Sequence, residues 1–243
     1  MASMLFYQSV AVLNRERHGN LRIQAGSRDC GFAAHTHYVP LVATEFYQAA
    51  ADYPVLFVGD DAQAAPVALL GLHEGHNPFI DAERQWLPGT YLPAFVRRYP
   101  FILARSSEDD AGNMVVCIDE NHGGFSTEAG QPLFDDQGGH TEYLNETIQF
   151  LQQYQADTER TGAFVQRLNE LGLLMRRDIR MQDSAGGDFM LEDFRVVNEK
   201  ALDQLDAKRV SELHASGYLG WIHAHLVSLT RLEHLPARLE RLA

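Results

Sequence analysis

The chain has 243 residues, of which 45% are hydrophobic and 22% are charged, and its formal net charge is −13 at pH 7. This amount of apolar sequence is enough for a sizeable core, in one large domain or in two closely packed halves. The acidic excess argues against broad contact with nucleic-acid phosphates or an anionic membrane surface, because such contact needs clustered Lys and Arg.

Short apolar runs bounded by Pro, Gly and Asp predict strands in the first 120 residues. The runs are GNLRIQA (19–25), YPVLFVG (53–59), APVALLGL (65–72), YPFILAR (99–105) and NMVVCIDE (113–120). Two helices are predicted between them, over residues 41–53 after Pro40 and over residues 92–99 between Pro93 and Pro100. Because sequential short strands favour antiparallel pairing, we expect one mostly antiparallel sheet.

Residues 121–140 are rich in Gly, Asp and Gln and predict a loop or an extended segment. Apolar residues then recur at helical spacing over 141–175 and 199–232, and FMLEDFRVV (189–197) predicts one more strand. The predicted fold class is α+β: a mostly antiparallel sheet from the first half, with the helices of the second half packed against it. We expect a single domain over residues 1–243, with a strand-rich part (1–120), the loop (121–140) and a helix-rich part (141–243).

The two cysteines, Cys30 and Cys117, form no CxxC motif and are too few for a disulfide framework, so we expect free thiols. No run of about 18 or more apolar residues predicts a membrane span. The first residues lack the basic and apolar segments of a secretory signal. We therefore expect a soluble, cytoplasmic protein that does not insert into a membrane.

His35 and His37, in CGFAAHTHYVPLVATEF (30–46), have a spacing that can serve a metal ion, because residues i and i+2 of a strand share a face. Catalytic zinc or iron needs three convergent protein ligands, and the nearest acid, Glu45, falls on the predicted helix, off its apolar stripe. We favour a strand, a turn at Pro40 and a helix, without a tightly bound metal, and we predict no cofactor. A transition-metal site at His35, His37 and Glu45 is the alternative.

A second pair, His223 and His225, lies in the helical stretch 218–232. Two positions along a helix correspond to about 200° of rotation, so the two rings should diverge. We expect structural or solvent-facing roles for both.

The stretch WLPGTYLPAFVRRYPFIL (86–103) concentrates aromatic residues around a pair of arginines. An Arg can clamp a carboxylate or phosphate while aromatic rings form the walls of a pocket. Alternatively, one Arg pairs with an internal acid and the other is solvated. We predict a ligand site with Arg97, Arg98, Trp86, Tyr91 and Tyr99, and the turn with His73, His76 and Asn77 is the next candidate.

Several stretches, in order along nearly the whole chain, resemble the SapC family of bacterial proteins. They are LNRERHGNLRI, YVPLVATEFYQAAADYPVLFV, PVALLGL followed by HNPFID, YLPAFVRRYPFIL, VCIDE, QPLFDDQG, LEDFRVVNEKALDQL and LGWIHAHLVSLTRL. The turn before Trp86 reads AERQ, where a D-G-x turn is usual. The resemblance supplies no catalytic residues. It implies a pathway shared with flavin-dependent tryptophan-halogenase-like proteins, cupin-like proteins and TonB-dependent receptors.

We therefore expect a soluble binding or accessory protein that acts on a peptide or small molecule, with halogenase-like or cupin-like partner enzymes or a TonB-dependent uptake pathway. Two alternatives stay open: a metal-dependent enzyme that uses His35 and His37, and a surface-layer structural protein, which the name of the family implies. No nucleophile elbow, Walker A loop, dinucleotide fingerprint or HExxH motif predicts a reaction.

Overall fold

The computed structural model describes residues 5–24, 29–60, 64–105, 113–182, 188–233 and 235. The strands are β1 Val10–Val12, β2 Arg22–Ile23, β3 Tyr38–Pro40, β4 Val55–Val58, β5 Ala65–Leu69, β6 Phe101–Arg105, β7 Met114–Asp119, β8 Phe125–Ser126, β9 Gln131–Pro132, β10 Leu174–Gln182 and β11 Asp188–Val197. The helices are α1 Arg15–His18, α2 Phe46–Ala49, α3 Ala94–Arg97, α4 Glu142–Glu170, α5 Glu199–Asp203, α6 Ala207–Ala215 and α7 Tyr218–Ser228.

The chain divides into two compact units, and each unit combines two separate segments of sequence. The first unit consists of Met1–Asp29 and Val96–Ala156, and the second consists of Cys30–Phe95 and Asp157–Ala243. Each unit therefore takes residues from both the strand-rich and the helix-rich part of the chain. The single domain expected over residues 1–243 stays a prediction.

In the first unit, the sheets and the first part of α4 share an apolar core. The two antiparallel sheets have the strand orders β1-β7-β6 and β8-β2-β9. Leu144 and Leu151 of α4 belong to one buried cluster with Phe101 of β6 and Ile118 of β7. The helix begins after Thr141, whose hydroxyl accepts a hydrogen bond from the Leu144 N–H (3.4 Å), as an N-cap side chain does.

The second unit is built on a five-stranded antiparallel sheet with the order β10-β11-β4-β5-β3. Leu56 of β4, Leu69 of β5 and Phe194 of β11 are buried in one apolar cluster on this sheet. The partly buried Leu229 and Leu232, which follow α7, pack against the same cluster. This cluster thus lies between the sheet and the C-terminal helical segment.

Helix α7 supplies two polar side chains where β4 and β11 stop pairing. The strand register would place Val197 opposite Val55, but the amides of both residues bond to α7. The Val197 N–H donates to His225 Nε2 (3.1 Å), and the Val55 N–H donates to Ser228 Oγ (2.9 Å). His225 is fully buried, and this burial lowers the pKa of its imidazole to about 4, against a smaller opposing effect from the Val55 backbone. The ring is therefore neutral at pH 7, and Nε2 is free of a proton and able to accept.

The predicted α+β class is confirmed, because antiparallel sheets occupy the first half of the chain and helices dominate the second. The prediction of one sheet was wrong, since the strands of the first half are divided among three sheets. The loop predicted over 121–140 contains β8 and β9. None of the helices in the described ranges combines the length and the hydropathy that crossing a bilayer requires.

Several predicted helices have other boundaries, and two of them have an evident physical reason. The helix predicted over 41–53 is reduced to a 3-10 turn, Ala43–Glu45, and α2. Helical backbone is disfavoured before a proline, and Tyr53 precedes Pro54. The helix predicted over 141–175 ends at Glu170, and β10 follows. β10 is an edge strand rich in charged residues, which disfavour pairing of this edge with another strand. The same charged residues interrupt the alternation of apolar and polar residues that would predict a strand.

Candidate functional site

The first unit contains an apolar groove of about 470 Å³ between the sheet β1-β7-β6 and helix α4. Its apolar lining comes from all four elements and from the residue after β1, and consists of Val12, Leu13, Leu103, Met114, Val115, Val116, Leu144 and Ile148. None of the described lining residues is an Asp, Glu, Lys or Arg. Val12 and Met114 keep 49% and 41% of their surface exposed, so a ligand can reach the apolar groove from solvent.

Polar side chains lie towards both ends of the apolar groove. Leu144 and Ile148 are one helical turn apart on α4, and Gln152 continues the same line of residues. His140 precedes the helix and also lines the apolar groove. Because an α-helix rises about 1.5 Å per residue, His140 and Gln152 are separated by roughly 18 Å along the groove.

A second groove in the same unit is charged, and its volume is about 1090 Å³. The charged groove is lined by three arginines and three acids, namely Arg15, Arg17, Arg22, Glu16, Asp135 and Asp136. Arg17 donates to Glu120 (2.7 Å), and Arg22 donates to the Gly130 carbonyl (3.1 Å). Arg15, Glu16 and Asp136 form no ion pair or side-chain hydrogen bond with any residue in the described part of the chain.

Helix α1, which carries Arg15, is fixed by a buried histidine. Asn14 caps the helix by accepting from the Arg17 N–H (2.9 Å). The Asn14 N–H donates to His18 Nδ1 (3.2 Å), so the His18 proton lies on Nε2, which donates to Glu120 Oε1 (3.0 Å). Glu120, the residue that follows β7, thus binds both His18 and Arg17 through its carboxylate. These two contacts fix the position of α1 against the end of β7.

The guanidinium of Arg15 lies against a glycine in the turn 135–139. A Cβ on Gly138 would lie about 2 Å from the guanidinium, so a larger residue there would require the Arg15 side chain to move. Gly138 also has a φ of 83°, which favours glycine independently. The turn itself is held by Asp135 Oδ1, which accepts from the N–H groups of Gln137 (2.9 Å) and Gly139 (2.8 Å).

The apolar groove and the charged groove adjoin. Phe134 lines the charged groove and His140 lines the apolar groove, and their ring centroids are 5.7 Å apart. A backbone bridge also pairs Phe134 with His140. On the other side, Leu13 lines the apolar groove and Arg15, two residues later, lines the charged groove.

The predicted arginine site is distributed over both units. In the first unit, the guanidinium of Arg97 lies over the Phe150 ring (5.2 Å) and that of Arg98 over Tyr154 (5.1 Å), with Tyr7 at 5.9 Å from Arg98. Such contacts are worth about 0.5–2 kcal/mol each and can hold an Arg without any ligand. The Tyr99 hydroxyl donates to Asp119 Oδ2 (3.1 Å). Neither groove is lined by Arg97, Arg98 or Tyr99.

Trp86 and Tyr91 lie in the second unit, where they are joined through Tyr53. Trp86 is buried, and its Nε1–H donates to the Tyr53 hydroxyl (3.2 Å), which in turn donates to the Tyr91 carbonyl. The Tyr91 hydroxyl donates to Glu45 Oε1 (2.7 Å). These contacts resemble those of a packed core, and the common ligand site of Trp86, Tyr91 and the arginines stays a prediction.

The turn 73–77 also belongs to the second unit. His73 and His76 are exposed, whereas Asn77 is buried. The Asn77 side chain donates to the Ala33 carbonyl (3.1 Å) and accepts from the Phe79 N–H (3.0 Å). Asn77 therefore fixes the turn against the chain before β3.

His35 and His37 do not lie on a strand as predicted, because β3 begins only at Tyr38. The 3-10 turn Gly31–Ala33 precedes them, and His35 Nδ1 lies 3.3 Å from the Gly75 carbonyl. Burial lowers the pKa of His37, although the charge of Glu74 opposes this effect. In the described part of the chain, no three His, Cys, Asp or Glu side chains are grouped so that they could hold a metal ion.

Glu45 is committed to other partners. Its Oε1 accepts from the Tyr91 hydroxyl (2.7 Å) and from the Ala94 N–H (2.6 Å), and its Oε2 accepts from the Val42 N–H (3.2 Å). The carboxylate is 5% exposed and joins the segments before α2 and α3. A structural role accounts for all three hydrogen bonds.

The SapC family model matches residues 13–235 of the 243-residue chain. The chain belongs to the SapC family. The match confirms the resemblance seen in the sequence, and it includes every described lining residue of the two grooves except Val12. No curated protein and no solved structure gives a significant match.

Sequence reasoning missed both grooves of this SapC-family chain. The charged groove had a signal, because Arg15, Arg17 and Arg22 place three guanidinium groups within eight residues of an acidic chain. The signal of the apolar groove was weaker. Helical spacing of apolar residues over 141–175 includes Leu144 and Ile148, but the sequence does not show that the sheet beside them stays partly open.

Proposed function

We propose that this SapC-family chain is a binding protein whose apolar groove holds the uncharged, apolar part of a small molecule or peptide. The observation that supports this best is the apolar groove itself, with about 470 Å³ and no acid, lysine or arginine in its described lining. Small-molecule sites typically have about 300–1,000 Å³, a mostly apolar wall and a few polar groups. His140, Gln152 and Gln155 are such groups.

Binding is a better account of this site than catalysis. His140 is the only titratable side chain in its described lining, which contains no acid and no nucleophile. General acid–base or nucleophilic catalysis needs a reactive group with a partner that activates it. The metal-enzyme alternative gains no support, because all the hydrogen bonds of Glu45 serve its own unit.

The proposal includes the cytoplasmic location expected from the sequence and the pathway that the family resemblance implies. The protein would act in the cytoplasm and hold its ligand for halogenase-like or cupin-like partner enzymes, or for a TonB-dependent uptake pathway. A role in a surface layer is less well supported, because contacts between neighbouring protein molecules in such a layer do not require an uncharged groove of small-molecule size.

Binding of N-acetylphenylalaninamide, an uncharged probe with an apolar side chain, tests the proposal. About 15 non-hydrogen atoms at about 0.3 kcal/mol each give about 4.5 kcal/mol, which corresponds to a Kd of about 0.5 mM. Val12→Asp should weaken binding at least about tenfold, since it introduces a charge into the apolar lining. The measurement is an NMR titration of the labelled protein.

Val10→Asp is the matched control. Val10 lies on the same strand as Val12 and is 42% exposed, but it is not part of the described lining of the apolar groove. Its substitution should leave the Kd unchanged. Equal losses in the two variants, or no saturable binding in the millimolar range, would refute the proposed site.

A further inference from the structure

The position of the charged groove beside the apolar groove defines the chemistry of a ligand that could occupy both. The contact between Phe134 and His140, at 5.7 Å between ring centroids, marks the point where the two grooves meet. A ligand with an apolar body in the apolar groove would therefore extend its polar end towards the charged groove. The polar end has to match the charges that it meets there.

The charged groove offers both signs of charge. Arg15 is exposed, and its guanidinium lies against Gly138 without an ion pair to any residue that the structure describes. Its guanidinium is therefore available to a carboxylate, which it can bind with two parallel hydrogen bonds. Asp136 is exposed in the same turn as Gly138, and its carboxylate has no ion pair or side-chain hydrogen bond within the described ranges.

The balance of charges disfavours a ligand with a single charge. One oxygen of Asp135 is engaged by its turn, and Arg17 is paired with Glu120. The charges in the open part of the groove are therefore mainly those of Arg15, Arg22, Glu16 and Asp136. An isolated anion would meet the acids, and an isolated cation would meet the arginines. A zwitterion can place each charge beside its opposite.

We infer that the ligand is an apolar α-amino acid. Its side chain occupies the apolar groove, its carboxylate binds Arg15 and its ammonium group binds Asp136. The inference rests on the proposed function, because the apolar groove must first hold the side chain. It adds the class of ligand and two residues that select its head group.

Four forms of one side chain separate these contributions. Phenylalanine carries both charges, N-acetylphenylalanine carries only the carboxylate, and phenylalaninamide carries only the ammonium group at pH 6.5. N-Acetylphenylalaninamide carries neither. We expect each charge that finds its partner to improve the affinity about threefold, so that phenylalanine binds about tenfold more tightly than the uncharged probe.

Two conservative substitutions assign the charges. Arg15→Gln should reduce the affinity for phenylalanine to that for phenylalaninamide, and Asp136→Asn should reduce it to that for N-acetylphenylalanine. Neither variant should change the Kd of the uncharged probe, which serves as the test of folding. Arg209→Gln, an exposed change in the second unit with the same loss of charge, should have no effect on any of the four.

The outcomes distinguish the two proposals. If neither the uncharged probe nor phenylalanine binds, the proposed function is refuted together with the inference. If the uncharged probe binds but phenylalanine binds no more tightly, only the inference is refuted. Loss of the phenylalanine advantage in Arg15→Gln, with the uncharged probe unaffected, would establish the carboxylate contact.

Discussion

Protonation of His225 should make the stability of the protein depend on pH in the mildly acidic range. In the folded chain Nε2 accepts from the Val197 N–H, so protonation would both break this hydrogen bond and place a charge in the core. Burial lowers the pKa of His225 from 6.5 to about 4, whereas in the unfolded chain it returns to about 6.5. Between these values the unfolded state binds more protons, so stability falls as the pH falls.

The size of the effect follows from the two pKa values. One pKa unit corresponds to 1.36 kcal/mol, so a fall from 6.5 to about 4 removes about 3 kcal/mol from the free energy of unfolding. The loss begins near pH 6.5, has a slope of up to about 1.4 kcal/mol per pH unit and is complete near pH 4. It is a large part of the roughly 5–15 kcal/mol that stabilises a typical domain.

Urea denaturation between pH 4.5 and 7.5 measures this loss in the wild type and in His225→Gln. The Gln side chain can accept a hydrogen bond but does not titrate, so the variant should lose the steep dependence even if its stability is lower at every pH. His223→Gln, an exposed change on the same helix, should retain it. Parallel curves for the wild type and His225→Gln between pH 5 and 6.5 would show that another group is responsible.

Three further predictions concern the rest of the chain. Asp119→Asn should lower the free energy of unfolding by about 2–3 kcal/mol, because the buried Asp119 carboxylate accepts from three backbone N–H groups and the Tyr99 hydroxyl. Urea denaturation measures this loss, and a loss below about 0.5 kcal/mol at an unchanged m-value would contradict the prediction. Arg98→Gln should lower the thermal midpoint more than Arg97→Gln, since Arg98 is half-buried against two tyrosines and Arg97 is exposed; equal shifts in calorimetry would argue against that ranking. Elemental analysis of protein purified without chelator should find no stoichiometric transition metal, and a metal that disappears in His35→Ala would restore the enzyme alternative.

The sequence predicted the elements whose pattern depends on local burial. β4, β5, β6 and β7 were found from short apolar runs bounded by turn residues, and most residues of β4 and β5 are buried. Helical rotation also predicted that the rings of His223 and His225 diverge, and in the structure His223 is exposed whereas His225 is buried.

The features that were missed depend on long-range contacts. No local pattern shows that the amides of Val55 and Val197 bond to α7, or that three small sheets form in place of one. The charged groove likewise arises only when residues 15–22 and 132–141 meet, more than 100 positions apart. The ligand site that we propose uses Arg15, and the site expected from the sequence at Arg97 and Arg98 stays a prediction.

The two units have a consequence for any experiment that shortens the chain. The backbone passes from one unit to the other near residues 29, 95 and 156, and the last of these passages lies inside α4. A single cut therefore cannot separate the two units, because a cut near residue 156, for example, leaves residues 30–95 of the second unit attached to the complete first unit. Truncation from one end should leave fragments with exposed apolar surface that aggregate, whereas joining 5–29 to 96–156 through a short linker would keep both grooves on one polypeptide.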